Sequence, residues 1–386
     1  MTTLATRKLR VEPFTSLHVP AVRAFNERLA AGGAGWRFPE DPVPDWLPRV
    51  PGSEVFQELL LLLEGDEVRG AYALKRQPVA LKGEIRQVGN LYLPISEGVF
   101  NRAYSLVGAR LFSDAMRREP ELFALGMGGR NTQVTGVVRA LGWQVYPVPF
   151  FFKVVHGPRF LRQIRYLRTT RLRSRLLDLA AFSGIGWAVA AGAGALLTRR
   201  PRGTGDLRAE EVARFDDWAD DLWSSCAPRY SFAAVRTSEV LNRVHPPDRT
   251  GLLRLRVTTA GRVVGYAVLQ DDQSLASETL GEMRVGTVVD GLALPEHAES
   301  VIWLAAQALE NRRVDLMISN QGHPAWGAAL RRAGFIEGPS NCLFAASRQL
   351  SDRIRVVDPG ARELHLNRGD GDWPWGINLR IRTSQS

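Results

Sequence analysis

At 386 residues, with 45% hydrophobic and 23% charged residues, the chain has a globular composition and is too long for one compact core, so two domains are expected. Its two cysteines, Cys226 and Cys342, exclude a disulfide framework and fit a reducing compartment. The first residues hold no apolar run of signal-peptide length, which predicts a cytoplasmic protein.

The first half of the chain predicts one ordered series of elements. They are a helix over 17–31, strands over 58–64, 68–74 and 85–93, a helix over 99–117, a strand over 123–127 and a helix that ends at Gly142. The strand over 85–93 is expected to stop at Pro94, because proline cannot donate to a sheet. After Gly142 the pattern predicts an aromatic residue, a strand, a turn and a second apolar strand.

The second half predicts the same series. Its elements are a helix over 209–223, strands over 252–258, 263–269 and 285–294, a helix over 301–309, a strand over 314–319 and a helix over 325–333. The passage of helix end, glycine, aromatic residue and strand then recurs at Gly334. A repeat of this length indicates a duplicated domain, in which Pro94 should superpose on Pro295 and Gly142 on Gly334.

This order of elements resembles the GNAT acyltransferase fold, and the chain resembles a tandem GNAT protein over about residues 8–155 and 207–349. The resemblance implies an α+β fold with a mixed sheet in each copy. The predicted division is an N-terminal GNAT-like domain over 1–156 with an acyl-CoA site, a basic helical linker over 157–206, and a C-terminal GNAT-like domain over 207–386 that ends in a strand extension.

The family binds the pyrophosphate of acyl-CoA on a loop after the fourth strand, at a helix N-terminus. Its pattern, Arg/Gln-x-x-Gly-x-Gly/Ala, is absent from both copies. The first copy keeps small and polar residues there, so the resemblance implies a cofactor site, without a metal, that includes Leu93, Gly98, Asn101 and Arg102. An ordinary capped helix start with a solvated arginine is the alternative.

Asn131 lies 11 residues before Gly142, which is the family's spacing for an asparagine that contacts the pantetheine arm. A plain helix N-cap would also explain an asparagine at this position. The tyrosine that often protonates the leaving thiolate in the family is replaced by Val138 in the first copy and by Leu330 in the second. The usual acid is therefore missing from both copies.

Four acidic residues are candidates for the chemistry of the acceptor. Glu84 stands at the entrance of the fourth strand and Asp290 lies inside the matching strand of the second copy, and either is a candidate general base. A surface position for Glu84 and a buried ion pair for Asp290 are the alternatives. Asp370 and Asp372 lie beside glycines, where they form a turn or hold an amine substrate or a cation.

The positive charge is concentrated between the copies. The net charge is +10, and residues 156–202 hold ten arginines against one acid, Asp178. Residues 158–175 predict a basic amphipathic helix, which is followed by an apolar stretch. This stretch is long enough to span a membrane, but Asp178 and several glycines weaken that interpretation. The segment 158–200 is predicted to lie on the anionic inner membrane face or to pack against the domains.

Three functions follow from these features. The leading hypothesis is an acyltransferase that moves an acyl group from acyl-CoA to an amine acceptor, in cell-envelope or exopolysaccharide synthesis by analogy, with no nucleic-acid partner. A Fem-like aminoacyl-tRNA-dependent transferase also lacks the acyl-CoA loop and is the second hypothesis. A non-catalytic scaffold whose two sites have decayed is the third.

Overall fold

The structure, a computed structural model, describes residues 9–40, 47–126, 133–163, 206–272 and 283–371. The strands within these ranges join one mixed sheet of fourteen strands, so the class is α+β, as predicted. Asn131, Asp372 and residues 164–205 of the predicted linker lie outside the described residues.

The described part of the first half contains six strands and four helices. The strands are β1 (Leu9–Pro13), β2 (Phe56–Glu64), β3 (Glu67–Leu81), β4 (Glu84–Ser96), β5 (Leu122–Gly126) and β6 (Gln144–Val154). The helices are α1 (Val19–Ala31), α2 (Val107–Arg118), α3 (Gln133–Ala140) and α4 (Gly157–Gln163).

The described part of the second half follows the same order with additions. Its strands are β7 (Arg208–Glu211), β8 (Phe232–Ala234), β9 (Leu252–Thr259), β10 (Arg262–Asp272), β11 (Val285–Ala293), β12 (Leu316–Asn320), β13 (Ile336–Ala346) and β14 (Leu364–His365). Its helices are α5 (Asp217–Cys226), α6 (Ser238–Val244), α7 (Ala298–Asn311), α8 (Pro324–Arg332) and α9 (Arg348–Val357).

The sheet interlocks the two halves. Its main path is β1-β2-β3-β4-β5-β13-β6-β12-β11-β10-β9-β7, so the last strand of each half crosses to the other half. β13 pairs antiparallel with β5, and β6 pairs antiparallel with β12 and with β13. β3 also continues past its own half to pair with β8. The predicted division into domains stays a prediction, because no boundary in this sheet separates two independent sheets.

Three apolar layers hold the first half. One face of β2–β4 packs against α2 and α3, and the opposite face packs against α1. Farther along that second face, second-half residues from β8, α9 and β14 cover the strands, where Phe123, Phe232 and Phe344 meet. A larger core lies within the second half, around α5, α7 and α8.

The glycine–aromatic passage has the same backbone geometry in both halves. Gly142 has φ 78° and Gly334 has φ 87°, a left-handed conformation that favours glycine after a helix. The next amide closes each helix, because Trp143 N–H donates to Val138 O and Phe335 N–H donates to the Leu330 carbonyl, each at 3.0 Å. The predicted equivalence of the two glycines agrees with this geometry.

The predicted equivalence of the two prolines is wrong. β4 does not stop at Pro94 but continues to Ser96, whereas Pro295 follows the end of β11. A β-bulge accounts for the difference: Leu93 takes a left-handed φ of 54°, and the β3–β4 register shifts between Ala71 and Ala73. A bulge accommodates a proline because the bulged residues do not need to donate to the ladder.

Three other predicted elements differ from the structure. Residues 209–223 form the edge strand β7 and then α5 instead of one helix. Residues 97–106 form two 3-10 turns before α2 begins, rather than the first turns of a helix over 99–117. The turn predicted after Gly142 is absent, since β6 runs unbroken through its prolines, and the Pro149 carbonyl accepts from Gln321 N–H at 3.2 Å.

Candidate functional site

Each half contains a parallel pair of strands that loses its pairing part of the way along. β4 pairs with β5 only at Gly89 and Asn90, and β11 pairs with β12 only from Val285 to Val288. We call the space between residues 91–96 and 124–126 the first gap, and the space between residues 289–293 and β12 the second gap. Such gaps expose strand edges, whose backbone groups can bind an extended chain.

A bulge lies beside each gap. In β4 it is at Leu93, and in β11 it is at Val289, because Val268 pairs with Asp290 while Leu269 pairs with Val288. A bulge bends its strand and re-aims the following side chain. In β11 the re-aimed side chain is Asp290, which explains an acid inside a strand that is otherwise almost entirely apolar.

The second gap is filled by the chain itself. We call residues 364–371 the plug. His365 Nε2 lies 2.8 Å from the Gly291 carbonyl, and Asn367 Nδ2 donates to Asp290 Oδ1 at 2.6 Å. A Cβ on Gly369 would lie 3.2 Å from the Asp290 Cβ, so this position of the plug favours glycine. The plug therefore occupies the edge of β11 that the gap leaves unpaired.

Tyr230 also lies in the second gap, beside His365. The Tyr230 hydroxyl donates to the Ala293 carbonyl at 2.6 Å and accepts from Trp326 Nε1 at 3.0 Å. Its ring stacks on His365 with centroids 4.5 Å apart. Because the carbonyls of Gly291 and Ala293 are both satisfied by side chains, the second gap has little capacity to bind another chain.

A buried arginine holds the plug to β11. Arg236 Nε donates to Asp290 Oδ1 at 3.1 Å and Arg236 Nη2 donates to Asp370 Oδ1 at 2.8 Å. All three side chains are at most 6% exposed. Asp290 Oδ2 also accepts from the Tyr266 hydroxyl at 3.3 Å and lies 3.2 Å from His245 Nε2. Each buried carboxylate is therefore paired, as burial of charge requires.

The pKa values of Asp290 and Asp370 are shifted in opposite directions from the usual value of an aspartate. Burial alone would raise the pKa of Asp290, but Arg236 and the hydrogen bond with His245 reverse this and hold it well below its usual range. Burial and the neighbouring Asp290 raise the pKa of Asp370, against the opposing effect of Arg236. Burial also places the pKa of His365 well below its usual value, so this ring stays neutral.

The plug continues to the base of the first gap. Lys75 Nζ donates to the carbonyls of Asp370 and Gly371, each at 3.1 Å, and Asn90 Nδ2 donates to the Asp370 carbonyl at 3.1 Å. Gly371 packs against Leu125 of β5, whose carbonyl oxygen would lie 3.2 Å from an added Cβ. Beyond Asn90, within the described ranges, no strand pairs with β4 on the side that faces β5.

The loop over residues 97–106, which we call the mouth loop, follows β4 at the wide end of the first gap. Its amide groups are largely used internally: Gly98 N–H donates to Ser96 Oγ at 3.0 Å, and Ala103 N–H donates to Asn101 Oδ1 at 3.1 Å. Asn101 is thus a local cap, and Arg102 is exposed. Cofactor binding by Leu93, Gly98 and these two residues stays a prediction.

A buried carboxylate anchors the mouth loop. Glu97 is 1% exposed, and it accepts from Arg28 Nε at 2.6 Å and from Arg69 Nη1 at 3.2 Å. The ring of Tyr104 lies under the Arg69 guanidinium, and its hydroxyl donates to Glu64 at 2.8 Å. The position that the family pattern gives to Arg or Gln is therefore occupied by an acid that the fold uses itself.

Among the sequence-predicted acids, the structure brings together Asp290 and Asp370, through Arg236, and leaves Glu84 apart. Glu84 begins β4 at the end opposite the first gap, is 68% exposed and pairs with Arg86 at 2.7 Å. A shallow depression of about 460 Å³ lies beside this end of the strand and is lined in part by Ile85. General-base roles for Glu84 and Asp290 stay predictions.

The sequence analysis missed the residues that organise the plug. They are Arg236, His245, His365, Lys75 and Asn90, all buried. A signal was present for two of them, because a lysine and an asparagine inside apolar strands must find partners. Nothing in the sequence indicated that these partners would be backbone carbonyls almost three hundred residues away along the chain.

The described residues contain neither a metal-type cluster nor a membrane-spanning helix. No group of three or more His, Cys, Asp or Glu side chains in the described ranges is placed to hold a metal ion. In the same part of the chain, no helix combines the length and the apolar character needed to cross a membrane.

Among known proteins, only solved structures resemble the chain, and they show its fold. No family model matches the sequence, and no curated protein matches it. The structure of Saccharomyces cerevisiae N-myristoyltransferase with bound myristoyl-CoA and inhibitors aligns with a TM-score of 0.51 at 11% identity, over 90% of this chain and 81% of that one.

Two further structures align less well. A conserved Enterococcus faecalis V583 protein described as a probable N-acyltransferase aligns with a TM-score of 0.49 at 10% identity, over 89% of this chain and 73% of that one. A GCN5-related N-acetyltransferase from Anabaena variabilis also has a TM-score of 0.49, at 9% identity, over 88% of this chain and 72% of that one. The chain has a GNAT-like fold.

Proposed function

We propose that the protein is an N-acyltransferase that binds acyl-CoA in the first gap and passes the acyl group to an amine. The GNAT-like fold supports this proposal, and the N-myristoyltransferase that aligns with the chain was solved with myristoyl-CoA bound. At this level of identity the likeness shows the fold alone, so the substrate rests on the geometry of the gap.

The observation that carries the proposal is the edge of β4 beyond Asn90, where no strand in the described part of the chain pairs with it on the side of β5. Residues 91–96 continue past the last β5 pair at Asn90 and bend at Leu93. The pantetheine arm of CoA is an extended chain with two amide groups, which can pair with a strand edge much as a peptide does. The corresponding edge in the second half is occupied by His365, Tyr230 and the plug.

The reaction requires few protein groups. The amine nitrogen attacks the thioester carbonyl carbon, the new C–N bond forms, and the C–S bond breaks to release the CoA thiolate. The nitrogen must lose a proton, and a general base near the first gap would accelerate that step. Val138, at the position of the family's tyrosine, is fully buried in the core beneath α2, so no side-chain acid acts from that position.

One observation favours the aminoacyl-tRNA alternative. The mouth loop uses its own amides and places Glu97, rather than a basic or glutamine side chain, between Arg28 and Arg69. A loop of this kind is a poor cradle for the pyrophosphate of CoA, since the donors that an anion needs are already occupied. A transferase that takes its acyl group from tRNA would not need that cradle.

A binding and turnover experiment separates these functions. The purified chain would be titrated calorimetrically with acetyl-CoA, with longer acyl-CoAs and with aminoacyl-tRNA, and thiol release would then be followed with a panel of amines and amino sugars. We expect saturable acyl-CoA binding and amine-dependent thiol release. Binding of tRNA without acyl-CoA would favour the alternative, and binding of neither would leave a scaffold.

The acceptor and the cellular location are part of the proposal. We propose an amine acceptor at the cell envelope and a protein that works on the cytoplasmic membrane face, supported by the arginine-rich composition of residues 156–202. Changing Arg162, Arg165 and Arg168 to glutamine should release the chain from anionic vesicles, at about 1 kcal/mol for each arginine. Unchanged vesicle binding would favour a linker that packs against the domains.

A further inference from the structure

The mouth loop is longer than the connection at the same place in the second half. Ten residues, 97–106, separate β4 from α2, whereas four residues, 294–297, separate β11 from α7. The extra length occurs in the half whose gap is not filled by any segment within the described ranges. An insertion restricted to one of two related halves indicates a role that the shared fold does not require.

The mouth loop exposes apolar side chains. Val99 is 54% exposed, Phe100 is 36% exposed and Leu106 is 69% exposed. The two 3-10 turns of the loop are packed together, because Gly98 lies against the Tyr104 carbonyl, where an added Cβ would be 2.4 Å from the oxygen. Clustered exposed hydrophobic residues of this kind mark interaction surfaces rather than ordinary solvent-facing positions.

Side chains of α1, β2 and β3 hold the mouth loop in place. Arg28 and Arg69 clamp the buried carboxylate of Glu97, and Tyr104 donates to Glu64. The Phe100 ring packs over Gly32 at the end of α1, where an added Cβ would lie 2.3 Å from the ring. A buried carboxylate held by two arginines fixes the backbone of the loop, so its exposed apolar side chains form an ordered surface.

Within residues 97–118 the exposed charged side chains are all arginines. Between residues 97 and 118 the acids are Glu97 and Asp114, and both are buried and paired with arginines. Arg102 and Arg110 are exposed, and Arg110 lies one helical turn after Leu106, whose carbonyl its N–H reaches at 3.1 Å. Apolar residues flanked by arginines match the interface of an anionic lipid bilayer.

We propose that the mouth loop docks the protein on the surface of an anionic lipid membrane, with Val99, Phe100 and Leu106 entering the interface and Arg102 and Arg110 contacting the headgroups. Docking there places the wide end of the first gap at the membrane surface. This surface consists of residues other than the arginine-rich segment 156–202, and its lipid binding is measured without any acyl-CoA, so the inference does not depend on the acyl-transfer proposal.

The test is co-sedimentation of the full chain with vesicles made of equal parts phosphatidylcholine and phosphatidylglycerol. The double variant Val99→Asp, Leu106→Asp should lower the partition coefficient at least about ten-fold. The matched control is Leu17→Asp, Val356→Asp, which adds the same charge at positions 89% and 83% exposed elsewhere, and it should stay within about two-fold of the native chain. All four positions are exposed, so folding should be retained.

A conservative variant supplies an independent readout. Leu106→Trp keeps the apolar character and should retain vesicle binding, with a blue shift of tryptophan emission relative to the native chain when vesicles are added. The proposal is overturned if the native chain does not bind the vesicles, or if the two double variants lose binding equally. It is also overturned if Val99→Asp, Leu106→Asp abolishes only a concentration-dependent self-association, since a second copy would then be the occupant.

Discussion

The first and second gaps start from the same arrangement of strands and differ in what occupies them. In each half a parallel pair separates beside a bulge. In the second half the edge of β11 that faces the gap is covered by the plug and by Tyr230, and Arg236 holds the plug in place. In the first half the edge of β4 has no strand partner beyond Asn90 within the described residues. Related strand geometry is therefore filled by the chain itself in the second half, whereas in the first half we propose that it binds a ligand.

The plug explains how the two halves of the sheet are held together. The plug is bound on one side by Asp290 of β11 and on the other by Lys75 and Asn90 of the first half. Arg236 pairs with Asp370 of the plug and with Asp290 of β11, and all three side chains are buried. Removing one member would leave the others unpaired, which is the condition under which buried charges are most destabilising.

The largest expected effect follows from Arg236. Arg236→Met leaves two buried carboxylates without their shared partner and should lower the free energy of unfolding by about 3–5 kcal/mol. Denaturant unfolding of both proteins measures this difference. The matched control is Arg214→Met, because Arg214 and Asp216 pair at 3.3 Å with side chains 67% and 62% exposed, and its effect should be at most about 0.5 kcal/mol.

A small cost for Arg236→Met would show that the plug is not held by these ion pairs. The second gap would then be accessible to a ligand, and the contrast with the first gap would fail. Arg236→Lys should also destabilise the protein, since an ammonium group cannot reproduce the divergent hydrogen bonds to Asp290, Asp370 and Ala234.

The second expected effect concerns pH. The pKa of buried His365 lies well below its usual value, so the folded ring stays neutral while the unfolded ring takes up a proton below about pH 6.5. The stability contributed by the neutral ring is complete above that pH and is lost as the pH falls, with a slope of at most about 1.4 kcal/mol per pH unit. His323 titrates in the same direction and adds to the slope.

Unfolding of the native chain and of His365→Gln at several pH values between about 7.5 and about 5.5 measures this term. The variant keeps a donor for the Gly291 carbonyl and should show a shallower decline of stability with falling pH. Parallel curves for the two proteins would mean that His365 is accessible to protons in the folded state, and hence that the second gap is not sealed.

Much of the fold could be predicted from the sequence, because it depends on local patterns. The strand and helix periodicities and the helix ends at Gly142 and Gly334 are encoded in neighbouring residues, and the structure agrees with them. The exchange of β6 and β13 could not be predicted, since either strand satisfies the same apolar pattern beside β5 or beside β12.

The site was less predictable for a related reason. Asp290 stood out as an acid in an apolar strand, but its partner Arg236 lies in the short connection between β8 and α6, where no periodic pattern marks it. Pro94 was a misleading signal, because a bulge at Leu93 absorbs the proline that would otherwise end the strand. Contacts that form only after distant strands have paired leave no periodic trace in a sequence.

The smallest expected effect compares two asparagines. Asn131→Ala should weaken acyl-CoA binding by on the order of 1 kcal/mol, about five-fold in affinity, if the resemblance correctly places it on the pantetheine arm. Asn320 is buried and bound to Asn341 at 3.0 Å, so Asn320→Ala should lower the melting temperature with unchanged acyl-CoA affinity of the folded protein. Equal losses of affinity in both variants would remove the distinction between the gaps.

The most direct test of the account is hydrogen–deuterium exchange of the native chain with and without a non-hydrolysable acyl-CoA thioether. The account predicts that the ligand slows amide exchange in residues 91–96 of β4 and leaves residues 289–293 of β11 and the plug unchanged. Protection confined to the second gap, or no protection and no acyl-CoA binding at all, would contradict it.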